Sequence, residues 1–206
     1  MQDKIAGDRI IAMQILLVTV LYCQEDKRVD EFKRLKRELV INGAIIDYYQ
    51  DTMQIPNGNI VKWDLIDHKG AAAVVAVRED GKLLMVRQYR NALERETIEL
   101  PAGGLNGRGE PTDVAAMREL EEETGYTCDK VEFLTSIYTT VAFCNEKIDI
   151  YLAKNLKPGV QHLDEDEFIN VEAYSVEELT QMILETKIQD AKTICGILTY
   201  AAKYPE

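Results

Sequence analysis

Residues 104–126 read GLNGRGEPTDVAAMRELEEETGY. Pro111 suits the first position of a helix, where its missing N–H costs nothing, and Gly125 is a common helix stop. The pattern predicts a helix from Pro111 to about Thr124. On that helix Glu119, Glu122 and Glu123 fall at i, i+3 and i+4, so they share one face with Cβ atoms about 5–6 Å apart. Carboxylates held so close repel one another until a hard cation binds them, and oxygen donors suit Mg²⁺ or Mn²⁺. Arg118 stands one turn before Glu122 and can hold that carboxylate. Val114, Met117 and Leu120 or their neighbours make the apolar face that packs on a sheet. An acidic run alone is usually a solvated surface; the glycines, Glu110 and Arg118 at set distances argue against that here.

Upstream, Ala44–Met53 and Asn59–His68 are rich in β-branched and aromatic residues and flank the turn Ile-Pro-Asn-Gly, which predicts a hairpin. Residues 71–80 (AAAVVAVRED) and 82–90 (KLLMVRQYR) form a second hairpin through Asp80–Gly81. Residues 91–109 read as loop, marked by Pro101, Gly103, Gly104, Gly107 and Gly109. Downstream, strands are predicted at 130–139 and 147–153 and helices at Val176–Glu185 and Asp190–Tyr204. Residues 26–39 are charged and read as helical or irregular. Strands alternating with segregated helices predict an α+β domain.

The formal net charge is −12 over 206 residues. An acidic surface repels phosphate backbones, so nucleic acid is not an expected partner. A small anionic substrate then needs local positive charge, from bound metal and a few arginines. Cys23, Cys128, Cys144 and Cys195 form no C-x-x-C pair, and His68 and His162 are the two histidines, which tells against a zinc site. Scattered cysteines suit a reducing cytoplasm. Ile10–Tyr22 is apolar except for Gln14 and Thr19. It is shorter than the roughly 20 residues that span a bilayer, and Asp3 and Asp8 dilute the positive leader of an export signal. It reads as a segment packed on the body or an upstream extension, and no membrane association is expected.

The stretch 104–126 resembles the Nudix box in the spacing of Gly104, Glu110, Arg118, Glu119, Leu120, Glu122, Glu123 and Gly125, with Tyr126 at the usual aliphatic position. With residue frequencies of roughly 7%, seven glycine or polar matches arise by accident in about one chain in a million of this length. The resemblance implies the Nudix fold, a mixed β-sheet sandwiched by helices. It also implies metal-dependent hydrolysis of a nucleoside-diphosphate derivative. VRQYR (86–90), IELPAGG (98–104), DEDEF (164–168) and DAKT (190–193) look like the ADP-ribose pyrophosphatase branch, over about residues 38–203.

That branch implies specific roles. The Ala102 carbonyl, Glu119, Glu122 and Glu123 would ligate the metal. Arg90 and Arg87 would grip the diphosphate, a task guanidinium forks do well. Glu165 would be the general base and Glu167 would assist with metal or water. Trp63 and Tyr48 or Tyr49 are offered either to core packing or to stacking on adenine. The branch also implies an N-terminal strand region exchanged between two subunits. The expected division is therefore 1–68, an extension and hairpin that makes a homodimer, and 69–206, the hydrolase domain. One departure stands out: Val141 and Ala142 occupy the place of the Pro-Gly that many relatives carry past the box. Other nucleotide sugars such as GDP-mannose, a non-catalytic ADP-ribose-binding module and a nucleoside-triphosphate hydrolase are the competing readings.

Overall fold

A computed structural model describes residues 31–163, 165 and 167–205. The apolar stretch at 10–22 and the first residues of the charged run at 26–39 lie outside the described residues. The described residues form two compact units: one holds those up to Ile41 with Tyr48–Asp64, the other Asn42–Asp47 and those from Leu65 onward.

The smaller unit is a three-stranded sheet of β1 (Lys33–Asn42), β2 (Asp47–Gln54) and β3 (Ile60–Asp67), in that order. The predicted hairpin is β2–β3. The helical or irregular reading of 26–39 is corrected for its described part: Lys33–Asn42 is a strand. Pairing with β2 outweighs the local helix preference of its lysines and arginines. Arg37 helps hold the register, donating from Nε and Nη2 to the two Asp51 oxygens at 2.7 and 2.6 Å.

The larger unit is built on a mixed seven-stranded sheet. Its strands are β4 (Ala71–Val77), β5 (Leu83–Arg90), β6 (Arg95–Glu99), β7 (Ala102–Gly104), β9 (Val131–Tyr138), β10 (Lys147–Ala153) and β12 (Asn170–Tyr174). A separate two-stranded ribbon pairs β8 (Tyr126–Thr127) with β11 (Lys157–Pro158). The main path runs β12-β5-β4-β10-β9, with β10 parallel to β4. The β4–β5 hairpin pairs only at Ala76–Leu84 and Val77–Leu83 and then splays. The gap is filled by β6, antiparallel to β5 from Val86 to Arg90, and by β7, antiparallel to β4 from Ala71 to Ala73. The loop reading of 91–109 therefore missed two strands. Pro101 interrupts them, but its carbonyl accepts from the Val74 N–H at 2.9 Å, so the chain stays on the sheet.

Three helices sandwich this sheet: α1 (Thr112–Thr124), α2 (Val176–Leu184) and α3 (Ala191–Lys203). The alternation of strand residues sends Ala72, Val74 and Ala76 to one face, with Ala115, Ala116 and Leu120 of α1. Ala71, Ala73 and Val75 go to the other, with Leu179 of α2 and Ile197 of α3. Burying a side chain such as Leu120 stabilises by roughly 1.5–3 kcal/mol. Within α1 one detail differs from expectation: Val114 is exposed, and Ala115 and Ala116 make the sheet contact. Small residues there let the helix lie close to the alanine-rich β4. Pro111 is the residue before the helix, with φ −63° and ψ 134°, and Gly125 ends it at φ 69°, a conformation that favours glycine.

Candidate active site

The site is assembled where α1 lies against β7. Its first turn is anchored by Thr112, whose hydroxyl donates to Asp149 Oδ2 at 2.9 Å. One turn from its end, Glu119 and Glu123 point into the contact with β7 and are buried. The Ala102 N–H donates to Glu123 Oε2 at 2.9 Å. A Cβ built on Gly103 would stand 2.3 Å from the Glu119 carboxyl carbon, so glycine is what lets the backbone approach.

Arg118 laces this corner together. Its Nη1 donates to Glu119 Oε1 at 2.6 Å and Glu122 Oε2 at 2.8 Å. Its Nε reaches Glu110 Oε1 at 3.2 Å, and Nη2 reaches the Gly104 carbonyl at 3.1 Å. Glu110 in turn accepts from the Asn106 N–H at 2.6 Å, which closes the glycine-rich loop. Gly104, Glu110, Glu119 and Glu122 thus meet around one guanidinium.

The electrostatics follow from burial. Desolvation pushes the Glu119 carboxyl up to about 7, although Arg118 pulls it down. Desolvation pushes Glu123 up to about 8, against the Ala102 N–H and with the charges of Glu119 and Glu167 adding to the rise. Two carboxylates in one desolvated corner are unfavourable as a pair of anions, and a cation relieves that. Among the described residues no three His, Cys, Asp or Glu side chains are spaced as a ready metal cage; the Arg118 guanidinium stands between Glu119 and Glu122. The donor set is oxygen only and fits a hard divalent ion.

A cleft of about 940 Å³ opens beside β7. Its walls include His68, Arg90, Glu99, Ala102, Glu146 and Lys192. Arg90 faces it, held by Glu99 through Nε at 2.8 Å and Nη2 at 2.7 Å. Arg87 does not line it, and pairs instead with Glu172 on β12 at 2.7 and 3.0 Å. Glu165 and Glu167 are exposed in the segment before β12. That segment is led past α1 by Gln161, whose Nε2 donates to the Glu123 carbonyl at 2.6 Å, and by the His162 N–H, which donates to the Glu122 carbonyl at 3.0 Å. Trp63 and Tyr48 belong to the smaller unit. There Trp63 stacks at a tilt on Phe32, with centroids 5.9 Å apart, and Tyr48 donates to Asp64 at 2.7 Å.

Sequence reasoning missed Glu99 and Lys192 as side chains of the cleft wall. The segments IELPAGG and DAKT were visible, but nothing local says that they meet. His68 and Gln161 carried no signal of their own.

A family model for the NUDIX domain matches residues 67–195, which include α1, β7 and the acidic segment. The "Methanol dehydrogenase activator" of Bacillus methanolicus is 41% identical over 169 residues, 81% of this chain and 91% of that protein. The "ADP-ribose pyrophosphatase" of Bacillus subtilis (strain 168) is 40% identical with the same coverage. Its namesake in Mycobacterium tuberculosis is 33% identical over 176 residues, 84% of each chain. Among solved structures, an "ADP compounds hydrolase" shares the fold with a TM-score of 0.74 at 19% identity, covering 84% of this chain and 94% of its own. With the box folded around Arg118 and relatives matched over most of their length, the chain belongs to the NUDIX family of hydrolases.

Proposed function

We propose that the protein hydrolyses the pyrophosphate bond of ADP-ribose, giving AMP and ribose 5-phosphate, with Mg²⁺ (or Mn²⁺) as its ion. The observation that carries this reading is the pair of buried carboxylates, Glu119 and Glu123, packed on Ala102 and Gly103 at the edge of a cleft that Arg90 also lines. The relatives named ADP-ribose pyrophosphatase support the substrate.

Glu119, Glu122, Glu123 and the Ala102 carbonyl would hold the ion. When bound, it neutralises phosphate charge and makes a nearby water more acidic. Arg118 orients Glu119 and Glu122. Arg90 grips the diphosphate; it is the stronger of the two arginine candidates, because it lines the cleft and Arg87 does not. Glu165 takes the proton of the attacking water as it adds to phosphorus in line with the leaving group, and Glu167 assists. Trp63 and Tyr48 stack on the base. The exposed apolar side chains of the smaller unit, Leu39, Ile41, Ile60 and Trp63 among them, support homodimer formation through residues 1–68. The net charge of −12 supports a small-molecule partner over nucleic acid. Free thiols at Cys128, Cys144 and Cys195 support a cytoplasmic setting, and among the described residues no helix is long and apolar enough to cross a membrane.

The test is a panel of nucleoside-diphosphate sugars, GDP-mannose included because of Val141 and Ala142, incubated with the full chain and Mg²⁺ and scored by product. ADP-ribose is expected to be cut fastest, to AMP and ribose 5-phosphate. An intact panel overturns the reading. Tight binding of ADP-ribose with no product makes the protein a sensor instead.

A further inference from the structure

Lys192 lies in the first turn of α3 with 10% of its side chain exposed, and its ammonium meets Glu99 Oε2 at 2.5 Å and Asp190 Oδ2 at 2.9 Å. Glu99 is buried more deeply still, at 3%. Taking such groups out of water is costly, and apolar side chains of the same volume often serve stability as well or better. Docking of α3 does not depend on the pair. Asp190 caps the helix by accepting from the Thr193 N–H at 3.0 Å, the Thr193 hydroxyl accepts from the Leu100 N–H at 2.9 Å, and Ile197 is fully buried in the core.

The charges have a different consequence, at Arg90. Glu99 Oε1 accepts from Arg90 Nε at 2.8 Å and from the Thr97 hydroxyl at 2.6 Å; Oε2 accepts from Arg90 Nη2 at 2.7 Å and from Lys192. Each carboxylate oxygen thus has two donors, which leaves the Glu99 side chain a single orientation. Arg90 spends only the Nε–Nη2 edge of its planar fork there. The Nη1 edge points away from Glu99, and 43% of the Arg90 side chain is exposed at the cleft wall. Because Lys192 shares Glu99, the carboxylate cancels less of the positive field that Arg90 presents to the cleft.

We propose that Lys192 and Glu99 are positioning residues for the substrate diphosphate: Lys192 on α3 clamps Glu99, and Glu99 holds Arg90 with one edge of its fork turned to the phosphate oxygens. This rests on the reading of Arg90 as a diphosphate ligand. It assigns α3, which lies outside the Nudix box, a part in substrate affinity.

The experiment is steady-state cleavage of ADP-ribose in Mg²⁺ by the full chain and by Lys192→Met, Arg90→Ala and the double variant. Lys192→Met is expected to raise KM about tenfold, as for loss of a charge-assisted contact, while kcat stays within about threefold. In the Arg90→Ala background the same change is expected to add nothing, since residues acting through one another are not additive. A folded Lys192→Met with wild-type KM overturns the proposal, and so does full additivity with Arg90→Ala. Should Lys192→Met fail to fold, Glu99→Gln carries the same expectation, and a wild-type KM there overturns it. An Arg90→Ala variant with unchanged KM overturns the proposal through its Arg90 premise and leaves the hydrolase reading standing. A wild type that leaves ADP-ribose whole removes the functional reading, and this inference with it.

Discussion

The backbone N–H of Ala102 donates to Glu123 Oε2 at 2.9 Å, joining the turn after Pro101 to a helix residue 21 positions further on. Together with the close approach of Gly103 to Glu119, it fixes where the buried carboxylates sit relative to the cleft.

Replacing Glu123 by Gln keeps the shape and the Ala102 hydrogen bond but removes the charge. Turnover of ADP-ribose is expected to fall at least ~10²-fold, the scale of losing a major electrostatic element, with the fold kept by circular dichroism. Chelation should abolish wild-type activity and added Mg²⁺ should restore it. Wild-type turnover in the variant sinks the carboxylate assignment.

Gly103→Ala tests the close approach. The new Cβ would sit 2.3 Å from the Glu119 carboxyl, so the carboxylate or β7 must move. Overpacking of this kind costs about 1–3 kcal/mol. A lower Tm together with a loss of kcat is expected. Gly104→Ala, where the added atom meets nothing within 4 Å, should leave Tm near the wild-type value. Equal Tm losses in both variants would contradict the packing argument.

Glu99 gives stability a pH dependence. Burial pushes its carboxyl up, but the hydrogen bonds from Arg90 and the charge of Lys192 outweigh this and bring it from 4.5 to about 2. A folded value below the unfolded one means that the contribution is complete above about 4.5 and drains away as pH falls toward 2. Its size is on the order of a few kcal/mol. Urea unfolding followed from neutral pH into this window should show a steeper loss for wild type than for Glu99→Gln. Parallel curves would remove Glu99 as a source.

The apolar side chains of β1 bear on assembly. Leu39 and Ile41 stand on one side of the strand, two residues apart, and both are exposed. Light scattering should find a wild-type dimer, and Leu39→Lys with Ile41→Lys should shift it to monomer, since an exposed apolar patch of this kind marks an interface. A monomeric wild type at micromolar concentration would end the dimer proposal.

Helix α1 and its acidic face could be read directly from residues 104–126, because a helix is a local object. Its hydrogen bonds span four residues, so the spacing of Glu119, Glu122 and Glu123 and the glycine stop at Gly125 already state its geometry. The turn at Asp80–Gly81 and the apolar runs of β4 and β5 could be read for the same reason. Strand β1 was not. A charged segment becomes a strand through the partner it pairs with, and neither β2 nor the Arg37–Asp51 contact is announced by residues 33–42 themselves. Nor could VRQYR alone say which arginine faces the cleft. That depends on β6 filling the gap between β4 and β5 and bringing Glu99 to Arg90, while β12 brings Glu172 to Arg87. The farthest-reaching case is Lys192 and Glu99, 93 residues apart in the chain. Each looks like an ordinary surface charge in its own segment. Only the folding of α3 onto the sheet removes both from water and makes each the other's necessary partner.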